Sequence, residues 1–123
     1  MPDDKRLLGQ FGEDAACRFL KRRGYRIVER NYSCRFGEVD IIARDRHYII
    51  FAEVKLRKNA DFGAAREFVT PTKQRRVVAA AELWLMRHRT ELQPRFDVIE
   101  VYAPNGTSTG KPEINHIEDA YQL

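Results

Sequence analysis

The sequence has little cysteine and no long apolar stretch. Its two cysteines, Cys17 and Cys34, form no CxxC pair, so neither a zinc knuckle nor a disulfide framework is indicated. A reduced, cytoplasmic protein is the expectation. No wholly apolar run exceeds five residues (Val77 to Ala81), against the ~20 that a spanning helix needs, so no membrane partner is expected. Asp3, Asp4, Glu13 and Asp14 interrupt the region where a secretory leader would be continuously apolar. Repeats, low-complexity tracts and linker-like stretches are lacking, and the expectation is one domain over residues 1–123.

What is present suffices for a core. Hydrophobic residues make up 43% of the 123 positions and charged residues 33%, a balance unlike that of disordered chains. A chain of this length buries roughly two-thirds of its unfolded surface without staples. The charge is uneven. Residues 1–95 carry 21 Lys/Arg against 13 Asp/Glu, a balance of +8, and residues 96–123 carry one Lys against five acids, a balance of −4. Sixteen of the 22 basic residues are arginine, whose planar fork matches phosphate oxygens. A polyanion partner, nucleic acid first, is one reading. An Arg-rich solvated surface is the other.

Periodicity predicts the elements. Leu8, Phe11, Ala15, Ala16 and Phe19 make a helical stripe within Asp3–Arg23, which Asp3 or Asp4 can cap and Gly24 can end. Three strand-like runs follow: Tyr25–Tyr32, Glu38–Arg44 after a loop over Ser33–Phe36, and Tyr48–Leu56. The last is the most apolar and should be central, with the second and third runs forming an antiparallel hairpin. Residues 57–69 look irregular, with Gly63 a flexible point. Thr70 caps a second helix with Pro71 at its first position, reaching about His88 with Val77, Ala81, Trp84 and Leu85 inward. Arg95–Tyr102 is a fourth strand, Pro104–Gly110 a turn-rich loop, and Glu113–Ile117 a short edge strand. The order α-β-β-β-α-β-β implies an α/β fold, a mixed sheet flanked by helices.

Acids fall inside strands. Strict alternation places Glu38, Asp40 and Ile42 on one face of the second run and Val39, Ile41 and Ala43 on the other. In the third run Ile49, Phe51, Glu53 and Lys55 share a face. Asp40, Glu53 and Lys55 can therefore meet across the hairpin. Buried unpaired charge costs several kcal/mol, so a folding-only account needs a reason for three such groups here. One such reason would be a solvated strand end with Asp40 paired to an arginine. Glu13 borders the apolar stripe of the first helix, and Gln74 lies in the first turn of the second; each is otherwise an ordinary helix residue. Asp97 reads as a structural strand-end acid partnered by Arg95 or backbone. Carboxylates of this kind hold Mg²⁺ or Mn²⁺ with waters retained, and a lysine beside them can steady developing negative charge.

The spacing from Asp40 to Glu53-Val54-Lys55 resembles the PD-(D/E)xK motif of restriction-endonuclease-like nucleases, with Val39 in place of the motif's proline. The longer strings GQFGEDAACRFLKRRGYRIVERNY, GEVDIIA, FAEVKLR, FGAAREFVTPTKQRR and RFDVIEV resemble the YraN-like family of small bacterial proteins. That family is regarded as endonucleases distantly related to archaeal-type Holliday junction resolvases. The resemblance covers roughly residues 7–118. It implies a restriction-endonuclease-like sheet, Asp40 and Glu53 as metal ligands, Lys55 as the catalytic lysine, Glu13 as the helix-borne acid completing the metal site, and Gln74 as a second-helix glutamine of the site. Glu38 sits beside the site in the GEVD string with no role assigned.

The expectation is thus a Mg²⁺- or Mn²⁺-dependent endonuclease hydrolysing phosphodiester bonds in DNA, including branched or otherwise structured DNA. Arg22, Arg23, Arg57, Lys58, Lys73, Arg75 and Arg76 are the candidate backbone contacts. Resolvase-like activity would favour a two-fold homodimer. The alternatives are a nucleic-acid-binding protein with this fold and little or no turnover, and a protein-interaction module whose acids form internal ion pairs.

Overall fold

A computed structural model of the chain describes residues 4–58 and 69–122. Helix α1 (Lys5–Arg22) is capped by the Asp4 side chain, which accepts the Arg6 backbone N–H at 2.8 Å. It stops where Gly24 takes a left-handed conformation at φ 90, a turn that favours glycine. Five strands follow: β1 (Arg26–Cys34), β2 (Gly37–Arg44), β3 (Tyr48–Arg57), and, after helix α2 (Pro71–Arg87), β4 (Gln93–Tyr102) and β5 (Glu113–Tyr121). They form one sheet in the order β1-β2-β3-β4-β5. All neighbours are antiparallel except β3 and β4, whose parallel pairing requires the α2 crossover. The most apolar strand, β3, is central, and α2 is capped by Thr70 with Pro71 at its start. The order α-β-β-β-α-β-β is the one the periodicity implies.

The sheet buries both faces. On one, Ile42, Ile49, Phe51, Phe96 and Val98 meet Val77, Ala81 and Trp84 of α2. On the other, Ile41, Ala43, Ile50, Ala52 and Ile99 meet Ala15, Ala16 and Leu20 of α1. Leu85 is partly buried against the α2-side cluster. Among the described residues no helix is long and apolar enough to cross a membrane.

Several expectations are corrected. The first helix begins at Lys5. Ser33 and Cys34 continue β1, pairing with Glu38 and Gly37, so the loop is only the turn at Arg35 and Phe36. The fifth strand extends to Tyr121, because a register shift between Phe96 and Val98 lets β5 keep pairing. Val39 packs with Ile42 on the α2 side and not with Ile41 and Ala43. The alternation breaks at Asp40, beside Asn31, which is left-handed at φ 54. Of the irregular stretch expected over 57–69, Arg57 ends β3, while Gly63 lies outside the described residues.

Candidate functional site

The β2–β3 ladder runs from Arg44↔Ile49 to Ile41↔Ala52. Asp40 and Glu53 follow directly where that register ends, at the end of the hairpin away from its turn. Asp40 remains tied to β3: its Oδ2 accepts the backbone N–H of Val54 at 2.9 Å. Glu53 is buried and lies two residues past Phe51, on the α2 side. Its Oε1 is 3.8 Å from Lys55 Nζ and 3.5 Å from Lys73 Nζ at the start of α2. Two lysines from different elements therefore share one carboxylate.

Helix α1 brings the third acid. Gly12 sits against the side chains of Val54 and Leu56, where a Cβ would stand 3.4 and 3.5 Å away. This close approach carries the neighbouring Glu13 to the same end of the sheet. Glu13 Oε1 is 3.3 Å from Arg30 Nη2, and Arg30 also meets Asp14 at 2.7 Å. Burial pushes the Asp40 carboxyl up to about 6; the Val54 N–H and Lys73 oppose the rise, and the charges of Glu53 and Glu13 add to it. All three acids thus belong to one electrostatic unit. Asp40 and Glu53 form its centre, and Glu13 is drawn aside by Arg30.

Among the described residues no three His, Cys, Asp or Glu side chains are close enough together to enclose a metal ion. A protein cage is not what Mg²⁺ requires: it is held by one or two carboxylates and keeps several waters. The pair Asp40 and Glu53, hard oxygen donors close enough that the charge of Glu53 raises the proton affinity of Asp40, fits that chemistry.

The other expected residues are distributed as follows. Gln74 donates its side-chain N–H to the Val69 carbonyl at 2.9 Å, which ties down the entry to α2. Glu38 is exposed and lines a small cleft with Lys73 and Arg76, so Lys73 and Arg76 stand beside the acids. Arg75 is exposed on α2, with Nη2 3.3 Å from Thr72 Oγ1, and Lys58 is exposed at the end of β3. Arg22 and Arg23 lie nine and ten residues beyond Glu13, about 14 Å along the helix, so they are not at the site. Arg57 is a correction. Its side chain is only 13% exposed, and its Nε donates to Glu100 Oε2 at 3.4 Å, so it is turned inward. Glu100 also accepts from Tyr102 and Asn115. Sequence reasoning missed Glu100, since only the parallel register Lys55↔Glu100 reveals it as a neighbour. It also missed that Arg30 holds Glu13.

Asp97 is structural but lies in mid-strand. It is fully buried and accepts Arg95 twice (2.9 and 2.8 Å), the Asp119 N–H at 3.0 Å, and a contact from His116 Nε2 at 2.7 Å. Arg95 also donates to Tyr25 Oη at 2.8 Å. Asp97 lies where the β4–β5 register shifts.

Comparison with known proteins gives one consistent result. Residues 12–101 match the profile of "Uncharacterised protein family UPF0102". A UPF0102 protein of Geotalea daltonii is 45% identical over 122 residues, covering 98% of this chain and 94% of its own. One from Geobacter sulfurreducens is 44% identical, covering 96% and 91%. One from Caldanaerobacter subterraneus is 38% identical, covering 96% and 97%.

Proposed function

We propose that this chain, which belongs to the UPF0102 family, is a metal-dependent endonuclease of the restriction-endonuclease-like kind that hydrolyses phosphodiester bonds in DNA. One observation carries the reading: Asp40 on β2 is tethered to β3 beside Glu53 and Lys55, where the β2–β3 ladder ends. Asp40 and Glu53 would hold Mg²⁺ or Mn²⁺, with Glu13 behind them. Such an ion polarises a phosphoryl oxygen and makes a bound water more acidic. Lys55, two residues from Glu53 on the same strand face, orients the attacking water or steadies charge building on the phosphoryl oxygens. Lys73, a third exposed beside the same carboxylate, contacts a flanking phosphate together with Arg76. The substrate class follows from the arginine-rich basic body.

A second reading is a DNA-binding protein with little turnover. The two lysines on Glu53 favour it, because they neutralise the carboxylate without metal. The test is cleavage of labelled duplex, single-stranded, flap and four-way-junction DNA in Mg²⁺ and in Mn²⁺. Endonucleolytic products that vanish in EDTA and in Glu53→Gln support the enzyme. Salt-sensitive binding to the panel without any product supports the binder.

A further inference from the structure

On the far side of α1 from the acids lies a second feature. A cleft of about 380 Å³ opens between α1 and the loop entering β5. Arg18 and Arg22 line one wall and Gly110 and Lys111 the other, with Ala15 and Ile114 on the floor. No acid lines it. All three cations are exposed, and none pairs with a described acid. Unpaired cations such as Arg44, Arg46 and Arg89 also occur elsewhere on the surface, but this cleft gathers three from two elements, whereas Lys55 and Lys73 converge on a carboxylate. Like charges from two separate elements repel, so their convergence without a counter-charge leaves a concave site selective for anions.

The geometry also restricts the anion. Arg18 and Arg22 are four residues apart, so their Cβ atoms stand about 6 Å apart on one helix face. Phosphates along one DNA strand advance ~3.4 Å each along the helix axis and lie farther apart through space, so two long side chains at this separation can address neighbouring phosphates. Two arginines suit bidentate phosphate recognition, and the lysine adds a point charge. Glu13 lies two residues before Ala15, about 200° around the helix. The cleft and the acid cluster therefore flank α1 on opposite sides.

We propose that this cleft binds consecutive phosphates of a nucleic-acid strand, as an anchoring site remote from the acids. The proposal rests on the nucleic-acid part of the reading above and is independent of turnover. A substrate with two arms can place one at the acids and the other here, which favours long or branched DNA over short duplex.

The experiment measures binding of a fluorescent 30-base-pair duplex and a four-way junction in EDTA across a salt series. It compares wild type, Arg18→Ala/Arg22→Ala/Lys111→Ala, and a charge-matched control, Arg44→Ala/Arg46→Ala/Arg89→Ala. All six positions are exposed, and melting curves confirm folding. The log K–log salt slope is expected to become shallower by about 2–3 in the cleft variant, at ~0.9 per lost phosphate contact, and by less than about 1 in the control. Affinity for the junction should fall at least tenfold at 0.1 M salt. Equal effects of the two triple variants overturn the proposal. So does a cleft variant that keeps the wild-type salt slope while inorganic phosphate raises the melting temperature of wild type alone, since the site would then serve a small anion. Wild type that binds with a salt slope but never cuts DNA overturns the catalytic reading and leaves this one standing. Wild type that binds no DNA overturns both.

Discussion

The Asp40 carboxylate accepts the backbone N–H of Val54 at 2.9 Å, so an acid on β2 is fixed against the strand that presents Glu53 and Lys55. This bond positions Asp40 but does not offset its burial, and the carboxyl is pushed up to about 6 from 3.8. Between those values the folded state binds more protons than the unfolded state, so stability falls as pH rises through this window. Asp40 therefore costs roughly 3 kcal/mol at most above pH 6 in metal-free protein. Asp40→Asn keeps an oxygen for the Val54 N–H and should be more stable than wild type at pH 8 in EDTA, with the difference shrinking towards pH 4. Urea unfolding at the two pH values measures this; a variant less stable at pH 8 refutes it.

Asp97 gives the opposite sign. Burial opposes its ionisation, but His116, Arg95 and the Asp119 N–H together hold its carboxyl below the usual range. Its contribution is present above the unfolded carboxyl range and is lost as pH falls through the lowered folded value. Asp97→Asn should cost about 3 kcal/mol at pH 7, since buried Arg95 is left with only the exposed Glu118 carboxylate as counter-charge. The loss should shrink in acid, as pH falls past the usual carboxyl range. Chemical denaturation at pH 7 and in acid is the check, and a cost under 1 kcal/mol at pH 7 would contradict the network.

Gly37 tests the packing of the β1–β2 turn on α2. A Cβ there would stand 3.0 Å from the Arg76 backbone oxygen. Gly37→Ala should cost about 1–3 kcal/mol through overpacking and displace the segment that carries Lys73 and Arg76. An unchanged melting temperature would show that the helix yields freely.

The element order was legible because the signals were local and strong: the 3.6-residue stripe of α1, the Thr70–Pro71 start of α2 and the apolar run of β3. What escaped depends on contacts distant in sequence. Arg57 reads as a surface cation until the parallel β3–β4 register brings Glu100 beside it. The extra length of β5 depends on the register shift at Asp97 and on Asp119 at φ 52, which no polar run such as HIEDAY announces. The face of Val39 follows from the irregularity at Asn31 and Asp40. Asp40, Glu53 and Lys55 were legible as a group because a short hairpin brings residue 40 opposite residues 53–55, although the period-two rule failed at Asp40 itself. The pairing of Glu13 with Arg30, seventeen residues away, was not.

Catalysis should depend on the group as one unit. Asp40→Asn, Glu53→Gln and Lys55→Ala should each reduce DNA cleavage by at least a hundredfold, and the double variant Asp40→Asn/Lys55→Ala should lose little more. Single-turnover rates decide it. Additive losses would mean that the residues act separately, and wild-type rates in Asp40→Asn would remove it from the site.

Thermal melting of wild type and Asp40→Asn, each in EDTA and in excess Mn²⁺, tests the central claim, that Asp40 and Glu53 form a metal site, without knowledge of the substrate. A ligand that binds only the folded state adds about 2.7 kcal/mol at a hundredfold excess over Kd, on the order of 5–15 °C for a domain of this size. Wild type should rise by that amount in Mn²⁺, and Asp40→Asn should lose most of the rise while melting at or above wild type in EDTA at pH 8. Wild type indifferent to Mn²⁺, with Asp40→Asn strongly destabilised in EDTA, would contradict the account and make the acids an internal structural network.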